Sequence, residues 1–183
     1  MSERNPLRGR WNILFLAIAA LVVALDQWTK WLIQSNFYLG QSIPETGFFR
    51  LTYAQNTGAA FSIFYGGNDI LRIFAGFGIV LILVFNFYLM RRYPILNTRF
   101  NKIAVAFILG GTIGNFTDRV WLSYVRDFID VGPWPIFNIA DSSTVAGTIA
   151  FAISILFFTR EPKPVVPSQD TILPGPKSPG EPK

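Results

Sequence analysis

Four long apolar runs alternate with polar stretches along this chain, and their lengths predict membrane-crossing helices. The first runs from Ile13 to Leu25 and continues through Trp28, Trp31, Leu32 and Ile33, giving a helix over about 12–33, long enough for about 30 Å of hydrocarbon. Ala17-Ile18-Ala19 resembles a leader-peptide cleavage site, but it lies mid-run and the run continues past it, which favours a retained helix. Further helices are expected over about 70–90, 103–116 and 138–158. Between the first two, Phe49, Leu51 and Tyr53 alternate with Arg50 and Thr52. That is the period of a strand, and it predicts a small sheet within 34–68 lying flat on the membrane surface. Gly47, Gly58, Gly66 and Gly67 supply hinges that would let this segment cover a site. From Pro162 to Pro182 prolines recur among polar residues, the composition of a disordered tail. The expected fold is an all-α integral membrane protein: four transmembrane helices with a small extracytoplasmic β-sheet and loop region, one unit over 1–160, and a tail over 161–183.

Composition supports this reading, because 51% of the 183 residues are apolar and only 15% are charged, too few for a soluble domain. The net charge of +5 would suggest nucleic acid were it not for where the cations sit. The loop 91–102 carries Arg91, Arg92, Arg99 and Lys102 and no acid, so by the positive-inside rule it is cytoplasmic. Four crossings then put both termini on that side. The loop and tails hold eleven of the sixteen basic residues, and the opposite side holds seven of the eleven acids. Cysteine and histidine are absent, which removes disulfides, thiol nucleophiles, imidazole bases and the usual zinc ligands. Acid–base chemistry must therefore come from Asp, Glu, Lys or Tyr; no metal and no cofactor are expected.

Asp127 and Asp141 are the first candidates. Ionisable groups at membrane depth are costly and mark function by default. Two carboxylates held together share a proton, so one can activate water while the other protonates a departing group. The bland alternatives are a loop acid beside Arg126 for Asp127 and helix capping through Asn138-x-x-Asp141 for Asp141. Asn115 and Arg119 could hold a substrate backbone or a developing oxyanion, with Asp118 fixing Arg119; otherwise the three finish a helix end. Asp26 and Lys30, spaced i, i+4, share a helix face and can pair, if only as an anchor. Asn56 suits a turn as well as a site. With the topology set by the basic loop, Asp26, Lys30, Asn56, Asn115, Asp118, Arg119, Asp127, Asn138 and Asp141 all fall at the same, exterior end. A proton- or ion-coupled carrier would use the same acids but should show repeats or polarity near the midplane, and a non-catalytic scaffold would not need the acids at all.

Five blocks carry a family resemblance: Asp26-Gln27-x-Thr29-Lys30, Asn56-Thr57-Gly58-Ala59-Ala60-Phe61-Ser62, Gly110-Gly111-x-x-Gly114-Asn115-x-x-Asp118-Arg119, Val125-Arg126-Asp127-Phe128-Ile129-Asp130 and Phe137-Asn138-x-Ala140-Asp141. In this order over 26–141 they resemble the signature of bacterial lipoprotein signal peptidase, signal peptidase II. The resemblance implies an intramembrane aspartic peptidase of the bacterial inner membrane, and a monomer is expected. Such an enzyme removes the signal peptide of prolipoproteins before a diacylglyceryl-modified cysteine. It implies Asp127 and Asp141 as the catalytic pair and Asn56, Asn115 and Arg119 as substrate-contacting positions. Asp26, Lys30, Gly58, Asp118 and Asn138 would support them.

Overall fold

A computed structural model describes residues 6–58 and 68–158. Gly66, Gly67, the block residues 59–62 and the proline-rich tail lie outside the described residues. Helix α1 (Pro6–Asn36) is one unbroken rod. Helix α2 (Asn68–Val84) passes through a π-helical turn, Phe85–Leu89, into a last turn, Met90–Arg92. Pro94 follows and Tyr93 before it is extended, as the residue preceding a proline tends to be. Helix α3 (Arg99–Trp121) starts at Thr98, whose hydroxyl accepts from the Asn101 N–H at 3.1 Å. Helix α4 (Ile139–Ile153) ends in a second π-helical turn, Ser154–Phe158.

Strands β1 (Ser42–Ile43), β2 (Arg50–Asn56) and β3 (Val125–Asp130) form one antiparallel sheet in that order. The β2–β3 register pairs Leu51 with Ile129 and Ala54 with Asp127, with an irregularity between Leu51 and Ala54. The strand expected at 49–53 is β2, beginning at Arg50, although Thr52 and Tyr53 are both buried at this irregularity and break the alternation. Residues 125–130, expected as a loop, are instead a strand, because pairing with β2 supplies partners for backbone groups that are buried here.

Among the described residues, three helices are long and apolar enough to cross a membrane: Gly9–Asn36, Asp69–Arg92 and Ile139–Phe157. Their outward faces carry exposed Leu21, Leu25, Phe74, Phe77, Ile149 and Ile153, the surface expected against lipid rather than water. Helix α3 is different. Its 23 residues reach about 34 Å, but it carries Asn101, Lys102, Asn115, Asp118 and Arg119, and it packs against the other three helices. It also runs past Phe116, where its end is expected, so Asp118 and Arg119 sit inside the helix rather than beyond it. Asp118 is accommodated because Gln27, Lys30 and Arg126 meet its oxygens, and Arg119 donates to the backbone carbonyl of Asn115.

Glycines let the helices approach. A Cβ on Gly110 would sit 2.8 Å from the Ala19 carbonyl oxygen of α1, and one on Gly111 would collide with the Ala140 carbonyl and Thr144 hydroxyl of α4. One on Gly147 of α4 would lie 2.5 Å from the Ala104 carbonyl oxygen. Small residues at such contacts replace a hydrophobic driving force that lipid does not supply. Phe15, Ala19, Met90, Val105, Ala106 and Leu109 pack a dry core in one half of the bundle. At the other end Ile33, Tyr53 and Phe128 tie α1 to the sheet.

Candidate active site

Strand β3 brings Asp127 and the first turn of α4 brings Asp141 to a common partner, Asn138. Oδ1 of the Asn138 side chain accepts from the Asp141 N–H at 2.9 Å, and the Asn138 backbone N–H donates to Asp141 Oδ2 at 3.2 Å. This is a full capping box, so the capping reading of Asp141 is correct as far as it goes. The Asn138 amide then donates to Asp127 Oδ1 at 2.7 Å. One residue therefore caps a helix and spans both carboxylates.

Asn56 and Asn115 follow the same logic, because in each the carbonyl is held by a donor and the NH2 is left to face an acid. The Gly58 N–H donates to Asn56 Oδ1 at 2.8 Å, and Asn56 Nδ2 donates to Asp127 Oδ2 at 3.0 Å. Gly58 reaches this position with φ +80° and its Cβ space is filled by Leu71, so a side chain there is disfavoured twice. The Lys30 ammonium, which can only donate, holds Asn115 Oδ1 at 3.0 Å, and Asn115 Nδ2 donates to Asp141 Oδ1 at 2.7 Å. Each amide orientation is thus forced by chemistry rather than chosen.

Beneath this layer lies a charge-balanced cluster. Lys30 pairs with Asp26 at 2.8 Å and Asp118 at 3.4 Å, all three fully buried. Asp26 also accepts from the Ala140 N–H at 2.9 Å, satisfying a free donor at the start of α4. Arg126 donates to both oxygens of Asp118, at 2.6 and 3.2 Å. Asp118 therefore fixes Arg126, and not Arg119 as the sequence suggested. The reason is geometric: alternation along β3 sends Arg126 toward α1 and α3 while Asp127 faces Asn56 and Asn138. Gln27, which stands in the first signature block but is not among the expected site residues, ties the cluster together through Asp26, Asp118, the Gly114 carbonyl and Arg126. Its position beside Asp26, one turn before Lys30, was the available signal.

Asp127 is 2% exposed, on a strand rather than in a solvated loop. Burial, and then the charge of Asp141, push its carboxyl up to about 6, against the pull of the Asn56 and Asn138 amides. Asp141 is half-buried and opens with Arg119 onto a groove of about 250 Å³ walled by Ala75 of α2, Gly111 and Thr112 of α3 and Val145 of α4. Arg119 donates to the Asn115 carbonyl at 3.3 Å and faces Asp141 and Asp127 electrostatically. Asp130 stands apart, accepting from Thr52 at 2.8 Å and the Gly132 N–H at 3.0 Å and pairing with Arg50 at 2.7 Å.

A buried and a half-buried carboxylate on separate elements, sharing an amide bridge beside a groove with mostly small walls, can exchange a proton and polarise water. Residues 18–157 match the family described as Signal peptidase (SPase) II. The chain belongs to the signal peptidase II family. It is therefore a membrane-embedded peptidase, which does not favour the carrier reading. A lipoprotein signal peptidase of Dehalococcoides mccartyi is 46% identical over 138 residues, covering 75% of this chain and 86% of the relative. One of Moorella thermoacetica is 38% identical over 146 residues, covering 78% and 92%. Among solved structures, a bacterial membrane enzyme determined by the in meso method at 1.9 Å resolution matches with a TM-score of 0.70 and 33% identity, over 79% of this chain and 93% of that one. The mostly helical architecture with its small sheet is that of this membrane enzyme.

Proposed function

We propose that this signal peptidase II cleaves the signal peptide from prolipoproteins, before a cysteine carrying a diacylglyceryl group, with Asp127 and Asp141 as its catalytic pair. The observation that carries the reading is the Asn138 bridge between the two acids, with Asp127 raised to about 6 while Asp141 caps α4. Asp127 is the member that keeps the shared proton. Asp141, held by the Asn138 cap at the start of α4, takes a proton from water as the water oxygen attacks the scissile carbonyl. A proton then passes to the nitrogen of the cysteine, the C–N bond breaks, and the pair returns to one shared proton. Arg119 and the amides of Asn56 and Asn115 hold the substrate backbone and the developing negative charge. Asp26, Lys30, Gly58, Asp118 and Asn138 keep these groups in place.

The groove between α2, α3 and α4 suits sideways arrival of an apolar signal helix, since its walls are Ala, Gly, Thr and Val and it ends at Asp141. Helix α3 serves as a fourth crossing, shielded by its neighbours, and residues 1–160 form the peptidase unit with 161–183 as an appended tail. The basic 91–102 loop supports an orientation in the bacterial cytoplasmic membrane with both termini inside and the dyad on the outer face.

The test is cleavage of a diacylglyceryl-modified prolipoprotein peptide by wild type, Asp127→Asn and Asp141→Asn at equal folded yield. Wild type should cleave before the lipid-bearing cysteine, and each variant should lose at least about 10³-fold in kcat/KM. A variant retaining full activity would refute the dyad, and cleavage in inverted but not right-side-out vesicles would reverse the orientation.

A further inference from the structure

The end of the bundle opposite the carboxylates concentrates positive charge that nothing in the peptidase site uses. Two adjoining cavities of about 210 and 390 Å³ share Trp11 and Arg99. Arg10, Arg91 and Lys102 also line them, and no Asp or Glu among the described residues does. Arg99 stacks on the Trp11 ring, with its guanidinium carbon 4.6 Å from the ring centre, which presents the edge of the guanidinium outward. Lys102 is the telling group. It is 8% exposed, its ammonium donates to Asn12 Oδ1 at 3.1 Å, and no described carboxylate pairs with it. Buried charges ordinarily have a counter-charge, and elsewhere in this molecule they do: Lys30 and Arg126 each meet an acid.

We propose that this basic cavity binds the phosphate of an anionic phospholipid. A phosphodiester there would supply the anion Lys102 lacks and would meet Arg91 and Arg99 in the forked geometry that guanidinium groups offer phosphate oxygens. A lipid fits better than free phosphate because the site is continuous with apolar surface. Leu14 lines one cavity and is 38% exposed, and Ile13 beside it is 69% exposed, so acyl chains can run along α1 from the headgroup. Trp11 sits at the junction, where amphipathic rings mark a membrane–water boundary.

Full-length protein in detergent is titrated with dioleoylphosphatidylglycerol, dioleoylphosphatidylcholine or inorganic phosphate, and bound lipid is counted by native mass spectrometry. Arg91 and Arg99 are exposed, so the Arg91→Gln/Arg99→Gln double variant should keep its helical circular dichroism. Phosphatidylglycerol should remain bound at collision energies that strip phosphatidylcholine, and its apparent affinity should fall at least tenfold in the double variant. Equal retention of the two lipids, or undiminished phosphatidylglycerol binding by the variant, would overturn the proposal. So would displacement of phosphatidylglycerol by low-millimolar inorganic phosphate, which would make this a site for the free ion.

Discussion

Asp127 and Asp141 differ in chemistry because their surroundings differ, although both are short carboxylates placed next to a helix end or strand. Asp127 is buried, takes amide hydrogen bonds on both oxygens, and is raised to about 6 by burial and by the charge of Asp141. The sign of the effect is open to test. A raised carboxyl holds its proton below about 6 and loses it above, so kcat/KM for free enzyme should fall as pH rises through that value. It should fall again in acid, where the pair takes up its second proton. The two values belong to the pair. In Asp141→Asn the like charge is gone, and an infrared carboxyl band titrating near pH 6 in the wild type should move to lower pH. No carboxyl titrating in that region would contradict the coupling. The same scale shows what could be read in advance: Asn138-x-x-Asp141 announces its cap, since a capping box is local. That the cap residue also reaches Asp127, eleven positions back, is not local and had no signal.

At the scale of elements, the site depends on how closely α3 can approach α4. Gly111 makes that contact, with the Ala140 carbonyl and Thr144 hydroxyl filling the space a Cβ would need. One turn further along α3, Asn115 bonds Asp141 at 2.7 Å. Gly111→Val should push the helices apart, costing about 1–3 kcal/mol of stability and stretching the Asn115–Asp141 bond. Thermal unfolding in detergent and cleavage assays would record both effects, with activity falling further than stability requires. An unchanged melting temperature with full activity would show that α4 can shift freely. Strand β3 works by parity instead. Its alternation sets Arg126 on Asp118 and Asp127 on Asn138, and a slip of one residue would exchange them. The strand was missed because Val125–Asp130 is short and charge-rich, and its partner β2 lies some seventy residues earlier in the chain.

Across the whole molecule, Asp26, Lys30, Asp118 and Arg126 form a buried cluster of two negative and two positive charges joining α1, α3 and β3. Removing one member leaves an uncompensated charge. Lys30→Met should therefore destabilise by about 3–5 kcal/mol, and it also frees Asn115 to turn away from Asp141. The double variant Asp26→Asn/Lys30→Met should recover part of the stability but not the activity, because Asn115 still lacks the donor that orients it. Denaturation and kinetics measured around this cycle separate the two roles. Equal recovery of both would mean that Lys30 only balances charge. The sequence by itself determined the apolar runs, the basic loop, the absence of thiol and imidazole chemistry, the pairing of Asp26 with Lys30 and the five signature blocks. All of these are properties of composition or of spacing within one element. Only the tertiary structure decided that Asp118 serves Arg126, that Gln27 joins the cluster, and that three asparagines are each pinned by a donor so as to face an acid. Those facts are set by contacts between residues far apart in the chain, and their geometry exists only once the helices and the sheet have packed.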